Sequence, residues 1–151
     1  MLHIVLFQPE IPHNTGAIGR LCLATQTRLH LIRPLGFTLD DKHLRRAGLD
    51  YWQDVEVCQW ESWQDLRDAA GPEAPFFFIE CDGPQPYWAA DLTAQEVYLV
   101  FGPETRGIPP SILQSGPHLH IPMPGGTRSL NLATAAAIVM YEALRQRSSR
   151  V

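Results

Sequence analysis

Short apolar, β-type runs alternate along this chain with amphipathic or alanine-rich stretches, and no linker, repeat or low-complexity segment interrupts the alternation. Strands separated by helical patterns are the mark of βαβ units, so the order predicts one α/β domain, 1–151, with a mostly parallel sheet and helices on both faces. The apolar runs predict strands at 2–7, 29–33, 55–60, 76–81, 97–101 and 118–121. The densest of them, Phe76-Phe77-Phe78-Ile79, is expected at the centre. Helices are expected at 15–25, 41–47, 62–70, 110–114 and 130–146. Asn14 or Thr15, Asp40, Ser62 and Ser129 are the candidate caps, and Pro109-Pro110 suits a first turn. The last helix carries Ala133, Ala135, Ala136 and Ala137 before Ile138, Val139 and Met140. Small side chains on several faces allow packing on two sides, with a homodimer as one source of the second surface; plain helix propensity explains them equally well.

Composition narrows the class. With 151 residues and 45% apolar content the chain supports one core and is too short for two ordinary domains. No run approaches the roughly 18 apolar residues of a membrane span. The opening Met1–Phe7 lacks the basic flank of a secretory signal and reads as a buried strand. Cys22, Cys58 and Cys81 are odd in number, widely spaced and outside any C-x-x-C pattern, which suits a reducing, cytoplasmic setting and argues against structural zinc. His118 and His120 share a strand face but have no third ligand nearby, so no metal is expected. The net charge of −4 speaks against indiscriminate polyanion binding. Local clusters remain at Lys42, Arg45 and Arg46 and at Arg145, Arg147 and Arg150, each of which, taken alone, reads as a solvated helix face.

Three polar loops carry more chemistry than turns need. Pro9–Arg20 leads from the first strand into a helix, with Asn14 as a possible cap and Arg20 about one and a half turns further on. Phe101–Gly107 has glycines that free its backbone, a proline that stiffens it, and a single carboxylate, Glu104. In Ile121–Asn131, Ser129 and Asn131 open the long helix, whose free amides and positive dipole end favour electron-rich groups. Ligands of open α/β sheets collect beyond the carboxyl ends of strands, where all three loops lie. There is no P-loop, no G-x-G-x-x-G after the first strand, no G-x-S-x-G and no H-E-x-x-H.

Taken together, N-x-x-x-x-x-R at Asn14–Arg20, F-G-P-E-T-R-G at 101–107, and I-P-M then S-L-N within 121–131 resemble, in order and spacing, the three motifs of the SPOUT RNA methyltransferases. The likeness covers essentially the whole chain. The segment 41–52, D-K-H-L-R-R-A-G-L-D-Y-W, is similar to the short subfamily that methylates the ribose of the tRNA wobble nucleotide. The resemblance implies a C-terminal trefoil knot, although threaded chains are very rare. It also implies an obligate homodimer, S-adenosyl-L-methionine as methyl donor, and transfer to the 2′-hydroxyl of nucleotide 34, a cytidine or modified uridine, of leucine tRNAs.

By position, it assigns Ile79, Gly102, Ile121, Ser129 and Leu130 to the cofactor. Asn14, Arg20, Glu104 and Asn131 are assigned to substrate placement and methyl transfer, with Tyr141 assisting from the last helix. Where the wider family often has serine, this chain has Ala133, which receives no role. Because a guanidinium with a pKa above about 12 is a difficult general base, Arg20 is expected to place the substrate or contact its phosphate. With no appended RNA-binding domain, the anticodon stem-loop of tRNA falls to Lys42, Arg45 and Arg46, with Tyr51 and Trp52 available for stacking. Two alternatives stay open: the same chemistry on another tRNA position or ribosomal RNA, and a catalytically silent RNA-binding module.

Overall fold

The computed structural model describes residues 1–40, 42, 44, 46 and 49–148. Strands β1 (Leu2–Phe7), β2 (Arg28–Ile32), β3 (Val57–Trp60), β4 (Phe76–Ile79), β5 (Gln85–Pro86), β6 (Val97–Phe101) and β7 (His118–His120) form one sheet in the order β3-β2-β1-β6-β4-β7-β5. Every pairing is parallel. The middle place belongs to β6, with the phenylalanine-rich β4 beside it. Both are hydrophobic because both are covered on two faces, so apolar density alone does not rank them. The two-residue β5 is too short to leave a sequence signal.

Alternation along the strands sorts side chains into two cores. Ile4, Leu6, Leu29, Leu31, Val97, Leu99 and Phe101 pack on one face with Ile18 and Cys22 of α1 (Pro12–Thr25) and Ala136, Val139, Met140 and Ala143 of α4 (Leu132–Ser148). Val5, Phe7, Phe76, Phe78, Tyr98 and Val100 pack on the other with Leu66 of α2 (Trp63–Ala70) and Ile112 and Leu113 of α3 (Pro110–Leu113). Burial of a large aliphatic or aromatic side chain contributes about 1.5–3 kcal/mol, so these faces hold the sheet.

The capping expectations are partly redrawn. Ser62 caps α2, accepting from the Asp65 amide. Helix α1 begins earlier than the periodicity suggests, because Pro12 presets its first turn and Ile11 occupies the cap without a side-chain bond. Asn14 and Thr15 are therefore buried inside the helix. At α4 the cap is Asn131 and not Ser129: Asn131 Oδ1 accepts from the amides of Ala133 and Thr134 at 2.9 and 3.2 Å. The buried residues of α4, spaced i, i+3, i+4 and i+7, form a single stripe, so within this chain the helix packs on one side. Lys42, Leu44 and Arg46 are helical, Leu44 buried and the two cations exposed. Arg45 and Arg150 lie outside the described residues, as does most of the helix expected at 41–47. A 3-10 turn (Leu49–Asp54) lies on α1, where a Cβ at Gly19 would come within 2.6 Å of the Trp52 ring.

Candidate active site

Because all strands are parallel, the segments leaving β1, β4, β6 and β7 gather at one edge of the sheet. They enclose a cavity of about 960 Å³ lined by Asn14, Ile79, Gly102, Glu104, Ile121, Ser129, Leu130 and Asn131. That volume lies within the roughly 300–1,000 Å³ usual for small-molecule sites. Three loops far apart in sequence are thus joined. Arg20, Tyr141, Lys42 and Arg46 are not among the lining residues.

A hydrogen-bonded relay ties the three polar segments together. Asn131 Nδ2 donates to Asn14 Oδ1 at 3.0 Å, and Asn14 Nδ2 donates to Glu104 Oε1 at 3.4 Å. Glu104 also accepts from the amides of Glu10 at 2.8 Å and Ile11 at 3.2 Å, which lie at the start of α1. A carboxylate from one loop therefore satisfies donors at the positive end of a helix from another. The same geometry explains why Asn14 is buried and still polar. Its amide is the link between the cap of α4 and the carboxylate after β6.

Residues beyond the sequence expectation extend the wall or, like Glu10, brace it from behind. Glu10 Oε1 accepts from the amide and hydroxyl of Thr105 at 3.0 and 2.8 Å. These bonds, with the nearby positive charge of Arg106, hold the Glu10 carboxyl below its ordinary range. Glu80, Cys81 and Asp82 follow β4 along the cavity. Burial, reinforced by the charge of Asp82 and opposed by His118, pushes the Glu80 carboxyl up. Glu10 stood inside a segment already singled out, but its partner is 95 positions away in the chain. Only the topology reveals the pair.

The cavity fits S-adenosylmethionine. Ile79, Phe101, Ile121 and Leu130 offer apolar walls for a flat base, while the charged lining comprises Glu80, Asp82, Glu104, Arg106 and Arg128. Mixed charge of this kind suits a ligand with a sulfonium, an ammonium and a carboxylate. No group of three or more His, Cys, Asp or Glu among the described residues could hold a metal ion. His118 is engaged elsewhere, with Nε2 at 2.6 Å from the Leu113 carbonyl oxygen.

Arg20 lies six residues beyond Asn14, about 240° around the helix, so it projects to another side of α1. It is exposed, its guanidinium 5.1 Å from the centre of the Tyr51 ring. Tyr141 is 57% exposed on α4, so both side chains face outward from helices that pack on each other.

The SpoU rRNA Methylase family matches over residues 1–141. The chain is 47% identical, over 153 residues, to the tRNA (cytidine(34)-2'-O)-methyltransferase of Yersinia pestis, with 97% of this chain and 94% of that protein covered. A solved structure described as giving insights into the 2-OH methylation of C/U34 on tRNA is 46% identical. It superposes with a TM-score of 0.94 over 99% of this chain and 98% of the other. The SpoU methyltransferase AviRb of Streptomyces viridochromogenes, solved with the cofactor AdoMet, is 27% identical with a TM-score of 0.84. That match covers 99% of this chain and 61% of AviRb.

Proposed function

The chain belongs to the SpoU rRNA Methylase family, and from that premise we propose that it transfers a methyl group from S-adenosylmethionine to the ribose 2′-hydroxyl of nucleotide 34 of tRNA. It is an S-adenosylmethionine-dependent tRNA methyltransferase, like the Yersinia relative that matches along nearly its whole length. The observation carrying the reading is the relay Asn131–Asn14–Glu104 on the wall of a cavity that fits the cofactor. Leucine tRNAs, presented by the anticodon stem-loop, are the proposed acceptors. The setting is the cytoplasm, where tRNA is modified; no helix among the described residues is long and apolar enough to cross a membrane.

When bound, S-adenosylmethionine would supply an electrophilic methyl on a cationic sulfur; the 2′-oxygen takes the methyl, the sulfur leaves as a neutral thioether and the hydroxyl proton passes to water. Ile79, Gly102, Ile121, Ser129 and Leu130 would hold the cofactor, and the apolar members exclude water, which strengthens every polar contact inside. Asn14 and Asn131, each locked by a bond to the next, orient the ribose, so that alignment contributes much of the acceleration. Glu104 already has three N–H donors on its two oxygens and therefore acts as a brace. Arg20 places the substrate through a phosphate.

Since Arg20 and Tyr141 point away from this chain's cavity, the reading requires a homodimer in which the outward faces of α1 and α4 meet a second copy. The C-terminal segment is proposed to be knotted: β7 pairs with β4, the 121–131 segment lines the same cavity as the 102–107 loop, and α4 packs on α1. Lys42, Arg45 and Arg46 are the proposed contacts to the anticodon stem-loop.

The test is incubation with labelled S-adenosylmethionine and separate pools of bulk tRNA and ribosomal RNA, followed by mass-spectrometric mapping. A 2′-O-methyl group at nucleotide 34 of leucine tRNAs is expected. Label in ribosomal RNA, or no transfer despite cofactor binding, would overturn the proposal in favour of another substrate or a silent RNA-binding module.

A further inference from the structure

The loop after β1 and the loop after β6 are fastened to each other twice, in opposite directions. Glu104 accepts from the Glu10 and Ile11 amides at 2.8 and 3.2 Å. Glu10 accepts from the Thr105 amide and hydroxyl at 3.0 and 2.8 Å. Each carboxylate thus closes on the other's loop, and neither segment can shift without breaking charged hydrogen bonds, the strongest ordinary kind.

The loop carrying Glu10 is also fixed from behind. Gln8 turns the chain out of β1 with φ at 48°, a region that favours glycine, while its amide donates to the Ile32 carbonyl at 3.0 Å. The Gly36 amide donates to Pro9 O at 2.9 Å, and a Cβ at Gly36 would lie only 2.8 Å from Glu10 Cα. A non-glycine residue persists in such a conformation where its surroundings over-determine it, as they do near functional sites. The backbone therefore presents Glu10 toward Thr105 from a rigid base.

We infer that Glu10 is a positioning residue for methyl transfer, which holds the 102–107 loop in the shape that brings Gly102 and Glu104 to the cavity. This rests on the methyltransferase reading of the cavity. Glu10 touches neither reacting atom. It acts through Thr105, whose neighbour Glu104 braces Asn14 and whose loop supplies the Gly102 wall.

The experiment compares Glu10→Ala, Glu10→Gln and Thr105→Val with the wild type. Five quantities are read: S-adenosylmethionine affinity by calorimetry, single-turnover methylation of tRNA, tRNA affinity, melting temperature, and hydrogen exchange at the Thr105 amide. Glu10→Ala, which removes the acceptor for both the Thr105 amide and its hydroxyl, is expected to weaken cofactor binding about tenfold and slow transfer about tenfold, with tRNA affinity and melting temperature unchanged. Glu10→Gln, whose amide oxygen can still accept from Thr105, is expected to recover most of both, and Thr105→Val to fall between. Exchange at Thr105 should quicken in Glu10→Ala and stay slow in Glu10→Gln. Wild-type behaviour of Glu10→Ala would overturn the inference. So would an equal loss in both variants with a lowered melting temperature, which is the signature of a merely structural role. If the wild type transfers no methyl to tRNA, the functional reading fails, while cofactor affinity and Thr105 exchange still judge Glu10.

Discussion

Two of the polar networks among the described residues differ in kind, and their contrast separates what folds the chain from what it does. One runs along the cavity through Asn131, Asn14, Glu104 and Glu10. The other lies on the sheet face covered by α2 and α3 and runs from Trp60 at the end of β3 to Glu96 just before β6. There Trp60 Nε1 donates to His30 Nδ1 at 3.0 Å, His30 Nε2 lies 2.9 Å from His3 Nδ1, and His3 Nε2 lies 2.6 Å from Glu96 Oε2. An indole N–H only donates, so His30 must carry its proton on Nε2 and His3 its own on Nε2. The direction of every bond, from Trp60 to Glu96, is thereby set. Both histidines are buried, His3 stacking on Tyr98 at 4.1 Å. This second network is packed among aromatic rings, with both of its histidines buried. The first is built into a cavity wall and is placed to meet a ligand.

The contrast breaks first at Glu104. Replacement by alanine should slow methyl transfer by about a hundredfold or more, because misplacement of a site by about 1 Å can cost that much, while the melting temperature changes little. Equal loss of activity and fold would erase the distinction.

Next, His30→Ala leaves the Trp60 N–H and His3 Nδ1 without their partner. It should cost about 2–4 kcal/mol of stability in urea unfolding, and single-turnover methylation by the remaining folded protein should match the wild type.

Acid probes the same network without mutation. Burial, aided by His3 and Arg28, pulls His30 from its ordinary 6.5 down to about 3. Burial also lowers His3, against the pull of Glu96. A histidine held neutral in the folded state binds fewer protons than in the unfolded chain. Its contribution is therefore complete above pH 6.5 and lost as pH falls toward about 3. One such group predicts a loss of about 2 kcal/mol between pH 6.5 and 5, readable from urea midpoints and reduced in His30→Phe to the part that His3 contributes.

The smallest effect belongs to the exposed cations Lys42 and Arg46. Lys42→Glu with Arg46→Glu should weaken tRNA binding and flatten its salt dependence by about one to two units of slope, leaving cofactor affinity alone. An unchanged slope would remove these cations from the RNA surface.

The alternation of β-runs and helical stretches made the parallel α/β sheet legible, and three loop motifs pointed to most of the cavity's wall. Asn131 as the cap of α4 was hidden because Ser129 has equal capping chemistry two positions earlier, and only the path of the loop decides between them. Asn14 read as a helix cap because Pro12, which starts the helix sooner, leaves no periodic signal. The outward placement of Arg20 and Tyr141 depends on helix phase and packing, and the clasp of Glu10 on Thr105 depends on pairing across 95 positions, which no local pattern encodes. His3 and His30 gave no signal at all, since each is a single polar residue within an apolar strand.

The most direct measurement uses leucine tRNA assembled by ligation with either a ribose or a 2′-deoxyribose at nucleotide 34, incubated with labelled S-adenosylmethionine under single-turnover conditions. The account predicts one methyl group on the ribose substrate, none on the deoxy substrate, and slow transfer to the ribose substrate by Asn14→Ala. Equal labelling of both tRNAs, or an Asn14→Ala variant as fast as the wild type, would contradict it.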